Sequence, residues 1–140
     1  MNNFREMYQE YENKTHEELT KTGIFFAFSN EQFDENKIPK DAPNNEFVSV
    51  GAGAYIHKSN ADKLNNYFNV ILPQLQKELT TKINIEDFIL HELYNYEAFY
   101  TGDITEAVGI ILDFYKDIPK ADIIKLVQEA YKKELKGGEE

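Results

Sequence analysis

The residues best suited to chemistry lie in a few short stretches. His91-Glu92-Leu93-Tyr94-Asn95 opens like the helix of a zinc protease, in which two histidines one turn apart hold the metal and the glutamate serves as base. The second histidine is replaced here, Tyr94-Asn95 standing at that end. The imidazoles of the chain are His16, His57 and His91, and it has no cysteine. That excludes disulfides, thiolate zinc sites, iron–sulfur clusters and cysteine nucleophiles together. A histidine without a spaced partner is a poor ligand, so His91 reads as a helical residue at the surface or partly buried. No metal and no cofactor are expected. Ser29, Ser49 and Ser59 lie outside any G-x-S-x-G elbow. Glu86-Asp87 has the makings of an acid–base pair, but adjacent acids arise by chance among 25 acidic residues and suit a helix N-terminus. No catalytic signature emerges, and the chain is expected not to be an enzyme.

Gly51-Ala52-Gly53 follows a strand-like run and invites comparison with a dinucleotide fingerprint. The third glycine would fall at Ile56, and the Gly-Lys-Ser/Thr ending of a phosphate loop is missing. A glycine bend in a sheet is the expected role. The alternative is a small-ligand or nucleotide site admitted by that bend and built from Gly51, Gly53, Tyr55, His57 and Lys58, with Lys63 close by in sequence.

Charge is the feature that exceeds its background. The chain carries 25 Asp and Glu against 15 Lys and Arg, a net charge of −10. Residues 83–115 hold seven acids (Glu86, Asp87, Glu92, Glu97, Asp103, Glu106 and Asp113) and no Lys or Arg. Residues 116–136 are mildly basic, with six lysines against four acids. Direct nucleic-acid binding and anionic-membrane binding both need surplus cations and are not expected. Tyr94, Tyr96, Phe99, Tyr100 and Tyr115 lie among the acids. Tyrosine supplies contact area at low entropic cost and the negative field speeds association, so the segment is suited to meet a basic protein. The plain structural alternative is that these aromatics are core and the acids are helix caps.

The elements that must position these residues follow from periodicity. Phe4, Met7, Tyr8, Tyr11 and Leu19 predict an opening amphipathic helix. Residues 24–28 read as a buried strand, Ser29 with Gln32 as a capping box, and 36–45 as a loop with two prolines. Residues 46–57 read as two strands, or one strand bent at the glycines. A helix follows from Ser59, interrupted at Pro73. Asn84 can cap the next helix, Ala98-Phe99-Tyr100 reads as a strand, and Asp103 with Glu106 starts another helix. The last helix carries Ile123, Ile124, Val127, Tyr131 and Leu135. The resulting expectation is an α+β fold: a small, mostly antiparallel sheet of three to four strands covered by about five helices. A chain of 140 residues is expected to form a single domain over 1–136, with 137–140 a disordered tail. No signal-peptide pattern and no apolar run near the roughly 20 residues that span a bilayer occur, so a cytoplasmic address is expected.

Three segments together carry a family resemblance: 25–33 (Phe25-Phe26-Ala27-Phe28-Ser29-Asn30-Glu31-Gln32-Phe33), 50–56 (Val50-Gly51-Ala52-Gly53-Ala54-Tyr55-Ile56) and 91–103, from His91 to Asp103. They resemble a family of small uncharacterised proteins encoded by bacteriophages and mobile elements of Bacillota and Bacteroidota. The resemblance covers roughly Gly23 to Leu112. Such relatives often carry an asparagine-histidine pair before the glutamate, where this chain has Asn95-Tyr96-Glu97. The resemblance implies a bacterial host cytoplasm and, by analogy with small acidic proteins in that setting, an inhibitor of host defence of the anti-CRISPR kind.

The expected function is therefore a non-catalytic binding protein that inhibits a host nucleic-acid-directed defence component. Its surface would be acidic and tyrosine-rich, carried by Glu92, Tyr94, Glu97, Tyr100 and Asp103. The partner would be a host protein with a basic surface, such as a nucleic-acid-binding effector. Two alternatives stand beside it: the small-ligand site at the glycine bend, and a self-assembling structural protein, a homodimer paired through Ile124, Val127, Tyr131 and Leu135.

Overall fold

A computed structural model of the chain describes residues 3–138. They form two compact units: residues 9–75, and the residues up to Tyr8 joined to those from Gln76 onward. The boundaries fall inside helices α1 (Phe4–Thr20) and α4 (Leu72–Lys82). The protein is an α+β fold, and the three strands among the described residues all lie in the 9–75 unit.

That unit is built around a three-stranded antiparallel sheet, β1 (Phe25–Phe26), β2 (Phe47–Gly51) and β3 (Ala54–His57), in the order β1-β3-β2. The central strand shows why the order suits the sequence. Ala54 and Ile56 are buried, while Tyr55 and His57 alternate to the other face. On that face Phe25 pairs with Tyr55 and Phe47 with His57. Phe33 of α2 (Asn30–Asn36) packs edge-on against Phe25, Phe47 and Tyr55 at 5.1–5.4 Å. Ser29 caps α2 as the sequence predicts, while the return bond from Gln32 reaches Phe28 N, one residue before the position of a capping box. Gln32 N donates to Ser29 Oγ at 3.1 Å, and Gln32 Oε1 accepts from Phe28 N at 2.8 Å.

After β3, a 3-10 turn leads into α3 (Ala61–Asn66), which continues through a π-helical turn at Tyr67–Ile71 into α4. Pro73 does not break the helix. Having no N–H to donate, proline is tolerated where the helix widens, and Leu72 N donates to Tyr67 O across five residues just before it.

The other unit is helical among the described residues: α5 (Ile85–Asn95), α6 (Ala98–Thr101), α7 (Thr105–Phe114) and α8 (Lys120–Gly138), with the first turns of α1 and the end of α4. Two expectations are corrected here. Ala98-Phe99-Tyr100, read as a strand, forms α6, because Tyr100 N and Thr101 N both donate back to Glu97 O and close a helical turn. The last helix extends through Gly137 and Gly138, which the sequence places in a disordered tail; Glu139 and Glu140 lie outside the described residues. No described helix is long and apolar enough to cross a membrane.

The hairpin turn between β2 and β3 explains the two glycines. Gly51, Ala52 and Gly53 have φ of 98°, 52° and 80°, a left-handed run that glycine adopts without penalty. A methyl group at Gly53 would stand 2.3 Å from the Phe28 ring, whereas one at Gly51 would meet nothing. Phe28 is 75% exposed and its ring can swing aside, so Gly53→Ala and Gly51→Ala should each lower stability by roughly the 1–2 kcal/mol of the left-handed backbone. Urea unfolding checks this, and a Phe28→Ala background should leave both costs unchanged.

Candidate functional site

The acidic, tyrosine-bearing segment begins on α5. Asn84 caps this helix as the sequence predicts, its side-chain oxygen accepting from Glu86 N at 2.8 Å. Phe88, Ile89, Glu92 and Leu93 form the inward face and are all buried. Phe88 lies at the centre, with ring contacts to Phe4, Tyr8, Phe114 and Tyr115 at 4.9–6.1 Å. His91 packs at a tilt against Phe4 and Tyr8, at 5.0 and 5.1 Å, as a half-buried helical histidine.

Glu92 overturns part of the expected surface. It is only 2% exposed, with Asn95 Nδ2 donating to its carboxylate at 3.4 Å and His91 Nδ1 lying 3.4 Å away. The physical reason is helical geometry: position 92 follows Phe88 by four residues and Ile89 by three, so it shares their inward face. Glu92 therefore belongs to the interior and cannot contact a partner directly.

The other four residues of the expected set are exposed. Tyr94 leaves α5 on the outer face, 57% exposed, and Tyr100 is 91% exposed. Between them Glu97 adopts a left-handed conformation with φ 54°, where its backbone ends the run from α5 and starts α6. That reversal buries Ala98 and turns Tyr100 outward. Asp103 accepts from Thr105 N at 2.9 Å ahead of α7. Hydrogen bonds from the Thr105 side chain and backbone hold the Asp103 carboxyl below its ordinary range, so it keeps its charge.

Helix α8 completes the site, although the expected surface includes no residue of it. Tyr131 stacks on Phe99 at 5.2 Å with the rings nearly parallel, and Phe99 touches Tyr94 at 4.8 Å. The Tyr94 hydroxyl donates to Glu134, a bond that raises the Tyr94 pKa above its ordinary value. Glu134 also borders a groove of about 420 Å³ between α5 and α8. Its walls are apolar, formed by Ile89, Leu90, Leu126 and Ala130, and its rim carries Glu86, Glu129, Glu134 and Lys133. One sequence signal could have found it: Glu86, Leu90 and Tyr94 recur every four residues on α5, as Leu126, Ala130 and Glu134 do on α8.

The alternative ligand site does not assemble. Gly53 lies in the turn just before β3 and His57 at the strand's far end, so the length of β3, roughly 10 Å, separates them. Both ring nitrogens of His57 are engaged, with Glu46 Oε1 at 2.8 Å and Ser59 Oγ at 2.7 Å. Tyr55 packs against Phe25 and Phe33, and Lys58 begins the 3-10 turn. The proposed self-pairing stripe is likewise used internally: Val127 is fully buried and Tyr131 stacks on Phe99, leaving Leu135 as its exposed large residue. Among the described residues, no group of three or more His, Asp and Glu side chains is arranged to hold a metal ion.

Residues 7–134 match the model of a family of unknown function, DUF7659. The chain belongs to this family. The matched range takes in both walls of the groove and the whole segment from Tyr94 to Asp103. No curated protein and no solved structure matches the chain.

Behind this surface, the Tyr115 hydroxyl is buried without a hydrogen-bond partner among the described residues, and burial pushes its pKa up to about 12. An unfolded tyrosine ionises near 10. The unfolded chain therefore loses this proton first, and stability should fall as pH rises from about 10 to 12. Tyr115→Phe should flatten that decline and raise stability at neutral pH by about 1 kcal/mol, since it removes an unsatisfied hydroxyl. Urea titrations across the alkaline range measure both effects.

Proposed function

We propose that the chain is a non-catalytic binding protein that engages the basic surface of another protein through Tyr94, Tyr100, Glu97, Asp103 and Glu134. In the setting implied by its sequence resemblance, that partner is a nucleic-acid-directed defence component of a bacterial host, and binding inhibits it. The observation that carries the proposal is the pairing of exposed tyrosine with acid: Tyr100 and Tyr94 stand out from the helices with carboxylates on either side. Aromatic anchors of this kind supply most of the energy at protein interfaces, and the surrounding charge chiefly accelerates encounter. A partner that handles nucleic acid carries the complementary cations. Affinity should therefore decline with salt without vanishing, because the tyrosine contacts are not screened.

Capture from a host lysate on immobilised protein tests this. The wild type should retain a basic protein that Tyr100→Ala combined with Asp103→Lys loses; retention of the same proteins by both forms would refute the proposal. Glu97 separates structure from function. Glu97→Gly should raise stability by up to about 1 kcal/mol, by relieving the left-handed backbone, while weakening capture. An unchanged capture would remove Glu97 from the interface.

A further inference from the structure

The groove between α5 and α8 has the dimensions and chemistry of a seat for a third helix. On α8 its residues are Leu126, Glu129, Ala130, Lys133 and Glu134, the i, i+3, i+4, i+7, i+8 spacing of one helical face. On α5 they are Glu86, Ile89 and Leu90, the same pattern one turn long. Two such faces side by side present the rows between which the ridge of another helix packs. The stretch from 126 to 134 runs about 12 Å along α8, enough for about two turns of a bound helix. Ala130 lies between the larger Leu126 and Glu134, giving an incoming side chain room to descend toward Leu90.

The rim decides what kind of helix fits. Three carboxylates, Glu86, Glu129 and Glu134, face a single ammonium, Lys133. An acidic helix would add repulsion to this edge, whereas lysine or arginine on both flanks of an apolar ridge would satisfy it. At one end Glu134 is held by the Tyr94 hydroxyl, so the groove is continuous with the tyrosine face.

We infer that this groove docks a cationic amphipathic α-helix of a protein partner, its apolar ridge seated between Leu90 and Leu126 and its basic flanks on Glu86, Glu129 and Glu134. The inference rests on the proposed function for the sign of the partner's charge, and adds the form in which the partner binds.

The test uses a synthetic helical peptide with leucine at i, i+4 and i+7 and lysine on both flanks, and a control with glutamate in place of lysine. Both are titrated into 15N-labelled full-length protein. The lysine peptide should shift amides at 86–90 and 126–134, and the glutamate peptide should not. Ala130→Arg should abolish the shifts by filling the groove. Should that variant fold poorly, Glu86→Lys with Glu129→Lys changes only exposed positions and should weaken binding about tenfold or more. Shifts confined to 94–103 would overturn the groove and leave the tyrosine face standing. Equal binding of both peptides, or no shifts with either, would also overturn it, and lysate capture still judges the wider proposal on its own. A concentration-dependent dimer that Ala130→Arg dissolves would assign the groove to a second copy of the chain and overturn the inference.

Discussion

The helical unit depends on the burial of one side chain, Phe88. Its ring meets Phe4 and Tyr8 from the start of the chain, and Phe114 and Tyr115 from the end of α7 and just beyond it. A fully buried phenylalanine contributes on the order of 2–3 kcal/mol in transfer free energy alone. Geometry matters as much as energy here. With Phe88 inward, Ile89, Glu92 and Leu93 must follow it, while Glu86 and Tyr94 must face out. The rim of the groove and the anchor of the tyrosine face are thereby set by a residue that touches neither.

Burying Glu92 has a cost, because a carboxylate removed from water needs hydrogen-bond donors. Asn95 Nδ2 donates to its carboxylate at 3.4 Å, and His91 Nδ1 lies 3.4 Å away. Glu97 is held in a left-handed conformation a few residues on. Together, a buried acid and a strained exposed one bracket Tyr94. Such departures from local preference persist where the surrounding fold over-determines them, and they concentrate at functional sites.

Much of the local structure was legible in the sequence, because it rests on interactions within a few residues. The Ser29 cap, the Asn84 cap and the bend at Gly51–Gly53 each depend on neighbours in the chain. The misreadings share a cause. Ala98-Phe99-Tyr100 has the aromatic content of a strand, but the left-handed Glu97 starts a helical turn there, and no local pattern announces it. Glu92 lay on the apolar stripe of α5, yet its charge argued for the surface. The Asp103–Glu106 box gave the right helix with a different cap, Asp103 accepting from Thr105 N, one residue earlier than the box predicts.

The sequence by itself determined the fold class, the main helices, a bend at the glycines, and the concentration of seven acids with tyrosines in one base-free segment. Composition and periodicity are additive properties of a chain and can be read without a fold. Only the tertiary structure decided which of those acids meet water, and that Glu129, Ala130 and Glu134 of α8 lie beside Glu86 and Leu90 of α5. Burial and adjacency are relations between distant segments, set here by the aromatic packing around Phe88. A charge count therefore became a surface only once α8 was placed against α5.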